Sequence, residues 1–93
     1  MRTVVIFGVI RLDLSQLPRR QPALVDAVDA RGPEDPIARR LHELGFVAGE
    51  PVEIVAAAPF GGDPLLVQVG YTRFAMRRSE AARVRVLMPG GPA

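Results

Sequence analysis

Apolar residues recur along this chain in two rhythms. Over one short stretch they follow a helix, and over most of the remainder they alternate as in strands. The helical stretch is Asp35 to Leu44. Asp35 suits the N-cap, and Pro36 suits the first helical position, where a missing N–H costs nothing. Ile37, Leu41 and Leu44 stand at i, i+4 and i+7, which predicts one apolar face. Gly45 supplies the left-handed residue that stops the helix. So short a helix is not stable alone in water, so it is expected to act as a lid on something else.

The alternating segments say what it covers. Ala23 to Ala30 reads as a strand, with Leu24, Val28 and the small alanines as core candidates. Pro51 to Ala58 places Val52, Ile54 and Ala56 on one face and Glu53, Val55 and Ala57 on the other. Pro59 to Pro64 is a Gly/Pro loop, and Leu65 to Val69 is the next strand. Gly70-Tyr71-Thr72 is a tight connection into Arg73 to Arg77, with Phe74 and Met76 inward. Ser79 to Ala82 reads as one helical turn capped by Ser79. Arg83 to Leu87 alternates again, with Val84 and Val86 inward, before a Gly/Pro tail over 89–93. The order predicts a mainly β fold: a small SH3-like barrel of about five strands, with a short helix after the first core strand and one helical turn before the last. A five-stranded OB-type barrel is the nearest rival, but its helix belongs between the third and fourth strands.

The N-terminal run Val4 to Ile10 is apolar and follows Arg2. It is at the short limit for a signal-peptide core, with no small-x-small cleavage pattern after it. It is also far below the ~20 apolar residues that span a bilayer. It reads as an extra strand over 1–13, completing this chain's own barrel or touching a second copy.

Composition narrows the class. Ninety-three residues make one domain with a modest core. No cysteine is present, which removes disulfides, thiolate nucleophiles and Cys-based zinc sites and is compatible with the cytosol. All twelve basic residues are arginine, and the net charge is only +2, so the isoelectric point near 10.4 reflects the absence of lysine more than a strong basic field.

Enzyme motifs are missing. There is no phosphate loop ending in Lys-Ser or Lys-Thr, and the single histidine, His42, has no serine near it in sequence. The reading is therefore non-catalytic. Metal binding has more support. His42 follows Asp35 by seven residues, on the same side of the helix, with Glu34 and Glu43 near. A closed zinc site needs about four ligands, and this cluster offers two. A solvated face pairing with Arg39 is the plainer interpretation, and a site shared by two chains is the better metal-binding one.

Arg73, Arg77, Arg78, Arg83 and Arg85 cluster on the last two strands. A basic sheet face can meet phosphate or an acidic partner. An ordinary solvated face is the favoured reading, since Tyr71 is the only exposed aromatic available for base stacking and the total charge is low. No nucleic-acid partner is expected. Phe60, in the loop with Gly61 and Asp63, either folds back over the barrel end or touches a partner.

With these residues in view, the chain resembles the ferrous-iron transport protein A (FeoA) family. Leu41, Leu44, Gly45, Phe46, Gly49, Val52 and Ile54 match its L-x-x-L-G-hydrophobic-x-x-G-x-x-V-x-hydrophobic pattern. Ala58, Pro59, Phe60, Gly61, Asp63 and Pro64 are similar to its Ala-Pro-Leu-Gly-Asp-Pro loop. Phe74, Ala75, Met76, Arg77, Arg78, Glu80 and Ala81 resemble its Leu-Ala-Leu-Arg-Arg-x-Glu-Ala ending. The likeness spans roughly residues 14–87. Three departures stand out: Gly62 is inserted, Phe60 replaces Leu, and Arg20 or Gln21 stands where Gly is common. The resemblance implies a cytosolic SH3-like barrel that assists the membrane GTP-dependent transporter, ferrous-iron transport protein B, from the inner face of the membrane. The same barrel ends diphtheria-toxin-repressor-type regulators, but no helix-turn-helix part precedes it here, which argues against a DNA-binding repressor.

The partner surface expected on these grounds comprises Arg39, Arg40, Phe60, Gly61, Asp63, Tyr71, Arg73 and Arg77. The alternative is a transition-metal module, in which Fe²⁺ or Zn²⁺ at Asp35 and His42 drives assembly. No cofactor is otherwise required, and the apolar N-terminal strand is compatible with a homodimer.

Overall fold

A computed structural model describes residues 7–92, with side chains over 8–90. The N-terminal reading over Met1–Ile6 lies outside the described residues. Six antiparallel strands form one sheet in the order β1-β6-β2-β3-β4-β5. They are β1 (Phe7–Asp13), β2 (Ala23–Val28), β3 (Pro51–Ala57), β4 (Leu65–Val69), β5 (Thr72–Met76) and β6 (Val84–Pro92). Helix α1 (Pro36–Glu43) lies between β2 and β3, and helix α2 (Arg78–Ala81) precedes β6. A 3₁₀ turn over Leu14–Gln16 links β1 to β2. This is the SH3-like arrangement expected from the sequence, with helix α1 after the first core strand.

One core fills the sheet's inner face. Val25, Val52, Ile54, Leu65, Val67, Val69, Met76, Val84 and Val86 enter it from the strands, Leu14 and Leu17 from the 3₁₀ segment, and Leu41 and Phe46 from α1 and its exit. The Phe46 ring meets Phe74 edge-to-face, with centroids 5.7 Å apart and an 88° interplanar angle.

The end of α1 shows why it sits here. The Gly45 N–H donates to the His42 carbonyl and the Phe46 N–H to the Leu41 carbonyl, with Gly45 at φ 110°. This is a Schellman stop, in which the residue after the glycine packs against the last inward helix residue. Here that pair is Phe46 and Leu41, both fully buried.

Four details differ from the sequence reading. In β2 the inward residues are Ala23 and Val25, while Leu24 is 47% exposed. A register shift between Val25 and Ala27 breaks the alternation, and Val28 packs only partly against the core. In β3 a shift between Ile54 and Ala56 turns Ala57 to the core in place of Ala56. On α1, Ala38 and Leu41 are buried, and Ile37 faces outward. Finally, Pro89–Pro92 continues β6 and does not form a tail. β2 pairs β6 only as far as Leu87, so beyond it β6 has β1 alone as neighbour. Prolines are tolerated where one side of a strand carries no ladder.

Candidate docking surface

Helix α1 is held at its start by one carboxylate. Asp35 Oδ1 accepts from the N–H groups of Ile37 (3.0 Å) and Ala38 (3.3 Å), and Oδ2 accepts from the Arg31 N–H at 2.8 Å. Oδ2 also pairs with the Arg83 guanidinium, and both side chains are buried. Arg83 donates further to the Asp29 carbonyl, through Nε at 3.2 Å and Nη2 at 3.0 Å. A buried arginine needs partners for its donors, and here Asp35 and Asp29 take those of Nε and Nη2. Asp35 is thus engaged through both oxygens, while His42 is exposed in the last turn of the helix. Among the described residues, no three His, Asp or Glu side chains gather as a metal-binding cluster.

Arg40 on the outer face of α1 pairs with Glu80 of α2. The other oxygen of Glu80 accepts from the Arg77 N–H at 3.1 Å, so Arg77 stands at the N-cap and Glu80 closes the turn. Ser79 is therefore inside α2 and does not cap it. The cap comes from outside: Asp63 Oδ1, in the β3–β4 loop, accepts from the Arg78 N–H at 3.0 Å. An aspartate far away in sequence does here what a local Ser or Asp usually does.

Arg78 completes the link. Its Nε donates to the Gly62 carbonyl at 2.9 Å, and its Nη1 donates to the Ser15 carbonyl at 3.1 Å. Ser15 is in turn bonded to Asp13 at the end of β1, with its N–H 2.9 Å from Asp13 Oδ1. One guanidinium thus ties the β3–β4 loop, α2 and the 3₁₀ turn together. Gly61 and Gly62 have φ values of 76° and 67°. A Cβ on Gly62 would lie 2.7 Å from the Arg78 guanidinium, so the inserted glycine fits both the conformation and the clamp. In this pinned loop Phe60 does not fold back, and the residue is 91% exposed.

Of the expected partner residues, Arg40, Phe60, Gly61, Asp63 and Arg77 are therefore connected around α2, with Arg39 exposed beside Arg40 on α1. Tyr71 and Arg73 are not. They sit at the β4–β5 turn, the far end of β4 from the loop, about 15 Å along the strand. Tyr71 is fully exposed there, and Arg73 Nε donates to Gln68 Oε1 at 2.6 Å. The five-arginine face also dissolves. Arg78 and Arg83 bond inward, and Arg85 pairs with Asp29 at 2.9 Å. The sequence carried no local sign of these roles, because Arg78 and Asp63 lie 15 positions apart and Arg83 and Asp35 lie 48 apart.

A second surface lies across β1, β2 and β6. Gly8, Val9, Pro22, Leu24, Leu87, Met88 and Pro89 line a groove of about 680 Å³ with no charged side chain. Val9 is 59% exposed on it. Among the described residues, no helix is long and apolar enough to cross a membrane.

Comparison with known proteins agrees with this architecture. The model of the FeoA domain matches residues 12–88. FeoA of Stenotrophomonas maltophilia, solved in complex with zinc and described as a procaryotic SH3 domain protein, is 59% identical. The match covers 81% of this chain and 88% of that one, with a TM-score of 0.73. FeoA of Chlorobium tepidum is 35% identical over 83% of this chain and 70% of its own, with a TM-score of 0.70. Iron(II) transport protein A of Clostridium thermocellum is 32% identical over 83% of this chain and 45% of its own, with a TM-score of 0.72. No curated protein matches the chain.

Proposed function

The chain belongs to the FeoA domain family of small SH3-like proteins associated with ferrous iron transport, and on that premise we propose that it is a non-catalytic accessory protein that docks on the membrane GTP-dependent ferrous-iron transporter. It acts from the cytoplasmic side, peripheral to the membrane through that partner. The docking surface is the contiguous one around α2: Phe60 and Gly61 at the loop tip, Arg77 beside it, and Arg39 and Arg40 on α1. Asp63 belongs to it as the residue that holds the loop. The observation that carries this reading is the pinned loop with its fully presented aromatic ring. A large apolar side chain held away from the core has an energetic reason to meet a partner. The experiment is a titration of the protein against the transporter's cytosolic GTP-binding domain and its cytosolic tail. Saturable association with either is expected, and association with neither would overturn the reading.

A second reading is favoured by the zinc complex of the S. maltophilia relative. One chain does not fit a closed site, because Asp35 is engaged by Arg83 and by the helix N–H groups, which leaves His42 alone. A transition metal, Zn²⁺ or Fe²⁺, would then be shared by His42 from two copies and would link binding to assembly. Calorimetry with Zn²⁺, alongside sedimentation, tests this. Metal-driven dimerisation lost in His42→Ala is expected, and unchanged metal binding in that variant would remove His42.

A further inference from the structure

We propose that Arg78 is a positioning residue which holds Phe60 as a rigid plug for an apolar socket on a protein partner. This rests on the docking reading above and says how that contact is made.

Three observations combine. Phe60 lies in the β3–β4 loop among Pro59, Gly61 and Gly62, none of which carries charge. The residue is 91% exposed, so the loop gains nothing from its own core by keeping a phenylalanine there. The loop nevertheless is anchored two and three residues after Phe60: Arg78 Nε donates to the Gly62 carbonyl and the Arg78 N–H to the Asp63 carboxylate. A glycine-rich loop left free would lose much conformational freedom on binding. A loop fixed beforehand avoids that loss, and the saving appears as a slower dissociation rate.

The chemistry also selects the kind of partner. The charge nearest the tip in sequence, Asp63, is bonded back to α2, and the Arg78 guanidinium faces carbonyl groups of its own chain. The tip therefore presents an uncharged aromatic knob, which fits a desolvated aliphatic or aromatic pocket. A lipid surface is the weaker match. Stable interfacial anchoring needs a second apolar insertion or a strong basic cluster, and here there is one ring, with Arg78 bonded inward and Arg40 paired with Glu80.

The test is a double-mutant cycle on binding to the full-length transporter in lipid nanodiscs, with empty nanodiscs alongside. Phe60→Ala should weaken binding about thirtyfold or more. Because the ring is exposed, that variant should keep its wild-type melting temperature. Arg78→Gln should weaken binding about tenfold through faster dissociation, and should speed amide exchange over 60–63. In the Phe60→Ala background the Arg78→Gln effect should vanish, since there is no ring left to position. A full tenfold loss in that background would make Arg78 merely structural and overturn its positioning role. Wild-type affinity in Phe60→Ala would overturn the plug while leaving the docking reading intact. Binding to empty nanodiscs that Phe60→Ala abolishes would assign the ring to lipid and overturn the protein socket. No binding by the wild-type protein would bring down the docking reading itself.

Discussion

Asp35 serves three parts of this fold at once. It caps α1, orders the turn at Arg31 and neutralises the buried Arg83. Removing one member of such a pair strands the other charge in the core. Asp35→Ala should therefore cost about 3–5 kcal/mol in urea unfolding, and adding Arg83→Met should recover part of the loss. A cost within about 1 kcal/mol would mean that Arg83 finds water or another partner. The cap was legible in the sequence, because Asp-Pro before a helical period is a local signal. The ion pair was not, because its partner arrives from β6 after the whole sheet has formed. Arg20 is the second case. The resemblance sets a common glycine against Arg20 or Gln21, and the φ of 67° at Arg20 lies in the left-handed region where a side chain costs about 1 kcal/mol. Its exposed pair with Glu53, at 3.3 Å, offsets little of that. Arg20→Gly is expected to leave stability unchanged or raise it by up to about 1 kcal/mol, read as the midpoint of chemical denaturation.

At the scale of elements, alternation found the strands but lost their phase wherever a register shift intervened. Counting in twos places Ala56 in the core, and the shift between Ile54 and Ala56 exchanges the faces there, while the core candidate Leu24 points outward between the buried Ala23 and Val25. A shift has no sequence signature of its own, since it is set by what the neighbouring strand needs. The extent of β6 was hidden for a related reason. A Pro-Gly-Gly-Pro stretch reads as a tail until β1 is placed beside it. The pairing there is tight: a Cβ on Gly90 would come within 3.0 Å of the Gly8 backbone. Gly90→Val should therefore push the strands apart at that end, at roughly 1–3 kcal/mol, and raise amide exchange selectively over residues 8–10 and 88–90. Exchange unchanged along this ribbon would show that β1 can shift to accommodate the side chain. The candidate site was legible only in pieces. Phe60 and its glycines were visible as a loop, but the clamp that presents them joins residues from three elements.

For the whole molecule, the arrangement separates two kinds of surface. Around α2, ion pairs and carbonyl contacts fix a charged collar beneath one aromatic tip. Across β1, β2 and β6, the groove is apolar and uncharged. Neither is the basic track that nucleic acid requires. Arg78, Arg83 and Arg85, which made such a track conceivable, bond within the chain. Oligonucleotide binding in 50 mM salt, followed by anisotropy, should accordingly be undetectable at micromolar protein, and affinity that falls steeply with added salt would contradict this. The measurement that bears most directly on function is an equilibrium titration of the unaltered protein against the full-length ferrous-iron transporter. Saturable binding with a single stoichiometry is the predicted result, and a flat titration up to the highest attainable concentration would contradict it.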